Sequence, residues 1–71
     1  MNIRPGRYRH FKGNEYLVLG MARHSETLEE MVVYKALYGD GAVWIRPVSI
    51  WQEPAVAGGK EVERFRWIGE A

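Results

Sequence analysis

Short apolar runs recur along this chain, one of them alternating at every second position over Arg64 to Trp67, and short breaks rich in Gly, Asn and Pro interrupt them. A period of two is the signature of half-buried β-strands rather than helices. Pro5-Gly6 opens the pattern as a turn pair, and Arg7 to Phe11 predicts a short first strand. Lys12-Gly13-Asn14 supplies the next turn. Glu15 to Ala22 is a nearly continuous apolar run containing Val and Tyr, which makes it the strongest strand signal in the chain. His24 to Glu30 breaks the pattern. Thr27 and Glu30 have the spacing of a helical capping box, but Met31-Val32-Val33-Tyr34 at once resumes strand composition, so an extended hairpin loop is expected there.

The next turn, Gly39-Asp40-Gly41, suits a three-residue hairpin loop with Gly41 in the left-handed bulge position. That loop sets Leu37 opposite Val43, Ala36 opposite Trp44, Lys35 opposite Ile45 and Tyr34 opposite Arg46. A two-residue loop would instead oppose Lys35 and Arg46, an unfavourable like-charge pair. Pro47 ends the fourth strand because it cannot donate to a ladder. Val48 to Trp51 is expected to be a tight connector and Ala57-Gly58-Gly59-Lys60 a turn. Arg64-Phe65-Arg66-Trp67 alternates as a closing strand with Phe65 and Trp67 inward.

Five to six short antiparallel strands within residues 1–71 predict a single all-β domain, a small barrel of SH3-like type. A domain of this size buries only about 60% of the surface that its unfolded chain exposes, so nearly every large apolar residue is needed for the core. The register above divides one hairpin into two faces. Val33, Leu37, Val43, Ile45 and Pro47 are aliphatic and are expected to form the core, with Lys35 as the exception. Tyr34, Ala36, Tyr38, Trp44 and Arg46 share the other face. Rings beside a guanidinium can stack a planar ligand and pair with an anion.

Composition narrows the choice of partner only slightly. The chain is 46% hydrophobic and 27% charged, with a net charge of +1, which gives no general drive toward polyanions. The charge is uneven, however: Arg4, Arg7, Arg9, His10 and Lys12 make the amino end basic, and Glu26, Glu29 and Glu30 make the first long loop acidic. The basic stripe can touch phosphates or simply protect an edge strand by charge. The absence of cysteine excludes disulfides and thiolate metal sites. No signal-like start and no apolar run long enough to span a bilayer are present, so a cytoplasmic protein without membrane contact is expected.

His10 and His24 are the only histidines. His24 and Glu26 can share a strand face, where the carboxylate could orient the ring, but adjacent Ser25 would point to the opposite face. A hydrolase using His24 and Glu26 is therefore a minor alternative, and no catalytic residue is assigned. Two histidines a strand apart make a poor zinc signal, so neither a metal nor a cofactor is expected.

Four blocks occur in order: Tyr8-Arg9-His10-Phe11-Lys12-Gly13, Ala22-Arg23-His24-Ser25-Glu26-Thr27, Val32 to Gly39, and Trp44-Ile45-Arg46-Pro47. With these blocks the chain resembles the family catalogued as domain of unknown function 1653, from Gly6 to Gly69. The resemblance implies a small bacterial domain with an SH3-like barrel. It implies no biochemical activity, and fold alone cannot supply one.

The function expected on these grounds is a non-catalytic binding module. Tyr34, Tyr38 and Trp44 would stack the ligand, Arg46 would pair with its anion, and His10, His24 and Glu26 would complete the site. The ligand would be planar or anionic: a nucleotide, a nucleic acid or a peptide. A third reading is an interaction module whose exposed strand edge pairs with a partner chain or with a second copy as a homodimer.

Overall fold

The computed structural model describes residues 3–71. Strand β1 (Gly6–His10) turns back into β2 (Glu15–Arg23). The turn is closed by the His10 N–H donating to the Asn14 carbonyl at 2.8 Å and the Gly13 N–H donating to the His10 carbonyl at 2.7 Å. Strand β2 pairs with β3 (Glu30–Ala36), and β3 with β4 (Val43–Pro47). A single helical turn, α1 (Val48–Trp51), follows. Strands β5 (Ala55–Ala57) and β6 (Lys60–Val62) form a separate hairpin, and β7 (Phe65–Gly69) returns to pair with β1. The main sheet is antiparallel with the order β4-β3-β2-β1-β7.

Leu19 explains how the nine-residue β2 bends. Val18 lies opposite Tyr34, yet Gly20 lies opposite Val33, so Leu19 is an extra, bulged residue. Such a bulge kinks a strand and increases its twist. It also resets side-chain parity: Val18 and Met21, three positions apart, both face the core, with Met21 opposite Val32.

The core consists mostly of rings. Ile3, Tyr8, Val18, Val32, Tyr34, Val48, Trp51 and Phe65 are buried together. Phe65 stacks on Trp51 with ring centres 3.7 Å apart and an interplanar angle of 3°. Tyr34 and Tyr8 meet Trp51 edge-on at 5.0 and 5.4 Å. Edge-on pairs of this kind contribute beyond their buried area. A one-turn helix has little stability of its own; α1 is held because Val48 and Trp51 plug this cluster.

The sheet curls until its outer strands approach one another: the Arg46 guanidinium of β4 lies 5.5 Å from the ring centre of Phe65 in β7. No ladder joins those two strands, so the sheet remains open between its edges.

Two expectations for the third hairpin are corrected. Its loop spans residues 37–41 rather than three residues: the Ala36 N–H donates to the Ala42 carbonyl at 2.9 Å, and the ladder runs Tyr34 opposite Trp44 and Lys35 opposite Val43. Lys35 stabilises the longer loop by donating from Nζ to the Gly41 carbonyl at 2.7 Å. The register moves by two residues, so the division into two faces survives, but the assignment of the faces is reversed. Val32, Tyr34 and Ala36 point into the core, while Val43 and Ile45 remain 57% and 59% exposed. The Lys35 ammonium belongs on the wet face, and Val33, Val43 and Ile45 go with it.

Candidate ligand groove

The turn after β1 and the start of β7 hold a cluster of rings and cations. His10 lies opposite Phe65 in the ladder, with ring centres 4.9 Å apart and nearly perpendicular. Phe11 packs against His10 at 4.6 Å and is pinned by its N–H donating to the Arg64 carbonyl at 2.9 Å. The Lys12 ammonium and the Arg64 guanidinium lie 5.8 and 5.9 Å from the Phe11 ring centre. Arg46 reaches the same place from β4, across Phe65.

Beside this cluster runs an open groove of about 560 Å³. Arg9, His10, Phe11 and Gly13 form one wall, Arg66 a second, and Ala57, Val62 and Glu63 of the β5–β6 region the third. A second depression, of about 480 Å³, has Arg4, Glu61 and Glu63 in its lining. Val62 and Glu63 border both depressions.

Arg9 and Arg66 lie directly opposite each other on β1 and β7. Like charges in that relation are destabilising. Glu15 relieves Arg9 with a 3.0 Å ion pair, whereas Arg66 makes no ion pair among the described residues.

His10 sits in this positive field. Burial lowers its pKa first, and Arg46, Arg64 and Lys12 lower it further. The Lys12 N–H donates to Nδ1 at 3.2 Å, so the neutral ring carries its proton on Nε2. Because the folded-state pKa lies below the unfolded value, the unfolded chain takes up the proton first. The contribution of His10 to stability is therefore complete above about pH 6.5 and is lost as pH falls through the lower folded value. Thermal melts at pH 7.5 and 5 should show a smaller acid loss in His10→Asn than in the wild type. An equal loss in both would remove His10 from the acid response.

The expected site residues divide into three groups. His10 and Arg46 converge on Phe65. Tyr38 joins their margin, its hydroxyl 2.9 Å from that of Tyr16, whose ring meets Phe65 at 5.8 Å. Burial and this hydrogen bond push the Tyr16 phenol up to about 12. Tyr34 is only 5% exposed and presents almost no surface to a ligand. Trp44 is 55% exposed, out on the edge strand.

His24 and Glu26 lie at the other end of β2, about 26 Å along the strand from Tyr16 at roughly 3.3 Å per residue. Nδ1 of His24 accepts the N–H groups of Glu26 and Thr27 at 3.1 and 3.3 Å, and the Ser25 hydroxyl donates to Glu26. The 3.4 Å approach of Glu26 Oε2 to that same nitrogen is therefore a contact between two acceptors. These side chains cap their own loop, and Ser25 is turned to the carboxylate rather than to the imidazole.

Sequence reasoning missed Phe11, Arg64 and Arg66 as site residues. The available signal is the ring–cation alternation of Arg64-Phe65-Arg66, which strand patterning alone also explains. Among the described residues no group of three or more His, Asp or Glu could hold a metal ion, and no helix is long and apolar enough to cross a membrane.

Fold and groove together define a small antiparallel β domain with a ring-lined basic cleft. The chain belongs to the DUF1653 family of proteins of unknown function, whose model matches residues 6–67. It is similar to the crystal structure of a DUF1653 protein from Bordetella bronchiseptica, with 42% sequence identity and a TM-score of 0.88, covering 97% of this chain and 91% of that one. No curated protein matches the chain.

Proposed function

We propose that this domain is a non-catalytic binding module for a phosphate-bearing planar ligand, a nucleotide or a short single strand of nucleic acid. The opposed pair Arg9 and Arg66 on the rim of the groove carries this reading. A phosphate between them would turn a repulsive pair into a charge-assisted clamp. The Nε2 proton of His10 adds a neutral donor. Phe11, edged by Lys12 and Arg64, offers a ring against which a base can stack. Peptide carboxylates fit less well, because a carboxylate spreads less charge across two guanidinium groups than a phosphate does.

The site centres on His10, Phe11 and Arg66, with Arg46 and Tyr38 at its margin; Trp44, His24 and Glu26 lie outside it. We take the curled sheet as an open SH3-like barrel, and Arg46 across Phe65 supports that reading. A bacterial, cytoplasmic setting without membrane contact or cofactor suits such a module.

The test is titration of the protein with adenosine monophosphate and with a short oligothymidylate, followed by amide chemical shifts. Binding should move the resonances of residues 9–13 and 64–66 and weaken as salt rises. Arg66→Gln should weaken it about tenfold, as expected for loss of one charge-assisted contact. Unmoved resonances in that region, or equal affinity in Arg66→Gln, would refute the proposal.

A further inference from the structure

We infer that two copies of this chain pair through β4, antiparallel about a two-fold axis at Trp44, into one continuous sheet. Strand β4 is an edge of the sheet. The Ala36 N–H donates to the Ala42 carbonyl, and main-chain groups alternate in direction along an antiparallel strand. Those of Trp44 and Arg46 therefore also face β3, and those of Val43 and Ile45 face outward. Each of these two residues offers an unpaired N–H and C=O at the open edge. The side chains there are apolar as well: Val43, Trp44 and Ile45 are 57%, 55% and 59% exposed. Edge strands are ordinarily guarded by charge, proline or a bulge, and none interrupts these three positions.

A second copy is the occupant that this edge matches on two counts. With the two-fold axis at Trp44, Val43 faces Ile45 of the second copy and Ile45 faces its Val43. These are hydrogen-bonded pairs, each exchanging two main-chain bonds, and all the outward groups of Val43 and Ile45 are used. Trp44 meets its own copy in the non-hydrogen-bonded position, where side chains approach most closely. Charge matches as well. Asp40 lies in the loop before the strand and Arg46 is the strand's penultimate residue, so the antiparallel arrangement sets each Arg46 opposite Ala42 of the second copy, two residues from its Asp40. Such a contact is isologous and closes at two copies. One strand pair covers less than the roughly 1,200 Å² of a standard interface, so the pairing is expected to be weak and to depend on concentration.

Sedimentation equilibrium from 5 to 500 µM should show the mass rising from 8.2 kDa toward twice that value. Ile45→Lys should remain monomeric while keeping its circular dichroism spectrum. Trp44→Cys gives a second test, because the chain has no cysteine of its own. Mild oxidation should link Trp44→Cys across the axis and leave Val43→Cys, which faces a different residue, largely unlinked. A monomeric wild type throughout this range, an Ile45→Lys variant that dimerises like wild type, or equal linking at both cysteine positions would overturn the pairing. Oligomers larger than two would overturn its symmetry. None of these outcomes depends on the ligand groove.

Discussion

Trp51→Ala is expected to lower the thermal unfolding midpoint by at least about 12 °C. Trp51 is buried, with Phe65 stacked on one face and Tyr34 and Tyr8 edge-on around it. Truncating a buried aromatic to alanine costs about 3–5 kcal/mol, and in a domain this small each kcal/mol moves the midpoint by roughly 4–8 °C. The whole stability of a chain this long is roughly 4–11 kcal/mol, so this one ring accounts for a large share. The effect spreads, because Trp51 is one of the two buried side chains that hold the single turn of α1. Without the indole, Val48 loses its anchor and Phe65 loses the surface that holds β7 across the open side of the sheet. Trp51→Phe keeps a flat ring in contact with Phe65 and should cost only about 1–2 kcal/mol. Melts followed by circular dichroism decide the matter. A Trp51→Ala midpoint within about 4 °C of wild type would mean that the stack contributes little.

The same ring cluster explains what could be read from the sequence and what could not. Local signals were sufficient for β1, β2, the Lys12-Gly13-Asn14 turn, the end of β4 at Pro47, and β7 with Phe65 and Trp67 inward, because each rests on alternation or on a turn residue. The two faces of β3 and β4 were separated correctly but assigned the wrong way round. Hydropathy favours Val33, Val43 and Ile45 as core over Tyr34, yet a sheet this small needs long, flat side chains to reach across from β3 to β7, and Tyr34 and Trp51 span that distance where valine could not. Lys35 was the deciding residue: an ammonium on the aliphatic face marks it as the solvent side. The five-residue loop is stabilised in part by the Lys35 bond to the Gly41 carbonyl, a contact that no turn motif announces. The groove was only half legible for a different reason. His10 and Arg46 are distant in sequence and meet because the sheet curls, and the β5–β6 wall consists of strands too short to show a period.

Gly6→Ala should be the most damaging change available outside the core, costing about 3 kcal/mol, the sum of backbone strain and overpacking. Gly6 has a φ of +133°, and a Cβ built there would lie 2.6 Å from both the Gly69 carbonyl oxygen and the indole nitrogen of Trp67. Neither atom can yield easily: the carbonyl is backbone, and the indole is held by donating to the Pro5 carbonyl at 3.2 Å. Gly6 and Gly69 mark the place where the β1–β7 register shifts, between Arg7 and Tyr8. The close approach is therefore what seats β7 on β1. Gly13→Ala separates the two contributions. Its φ of +109° imposes strain too, but nothing lies within 4 Å of a Cβ there, so it should cost about 1–2 kcal/mol, the strain alone. Hydrogen exchange locates the damage. In Gly6→Ala the amides of Phe65–Gly69 should lose protection before those of β3, because β7 is released first. Since β7 carries Phe65 and Arg66, a loosened β7 would also take apart the clamp opposite Arg9. Equal stability losses in the two variants, or a uniform rise in exchange, would mean that the crowding at residue 6 does not hold the sheet together.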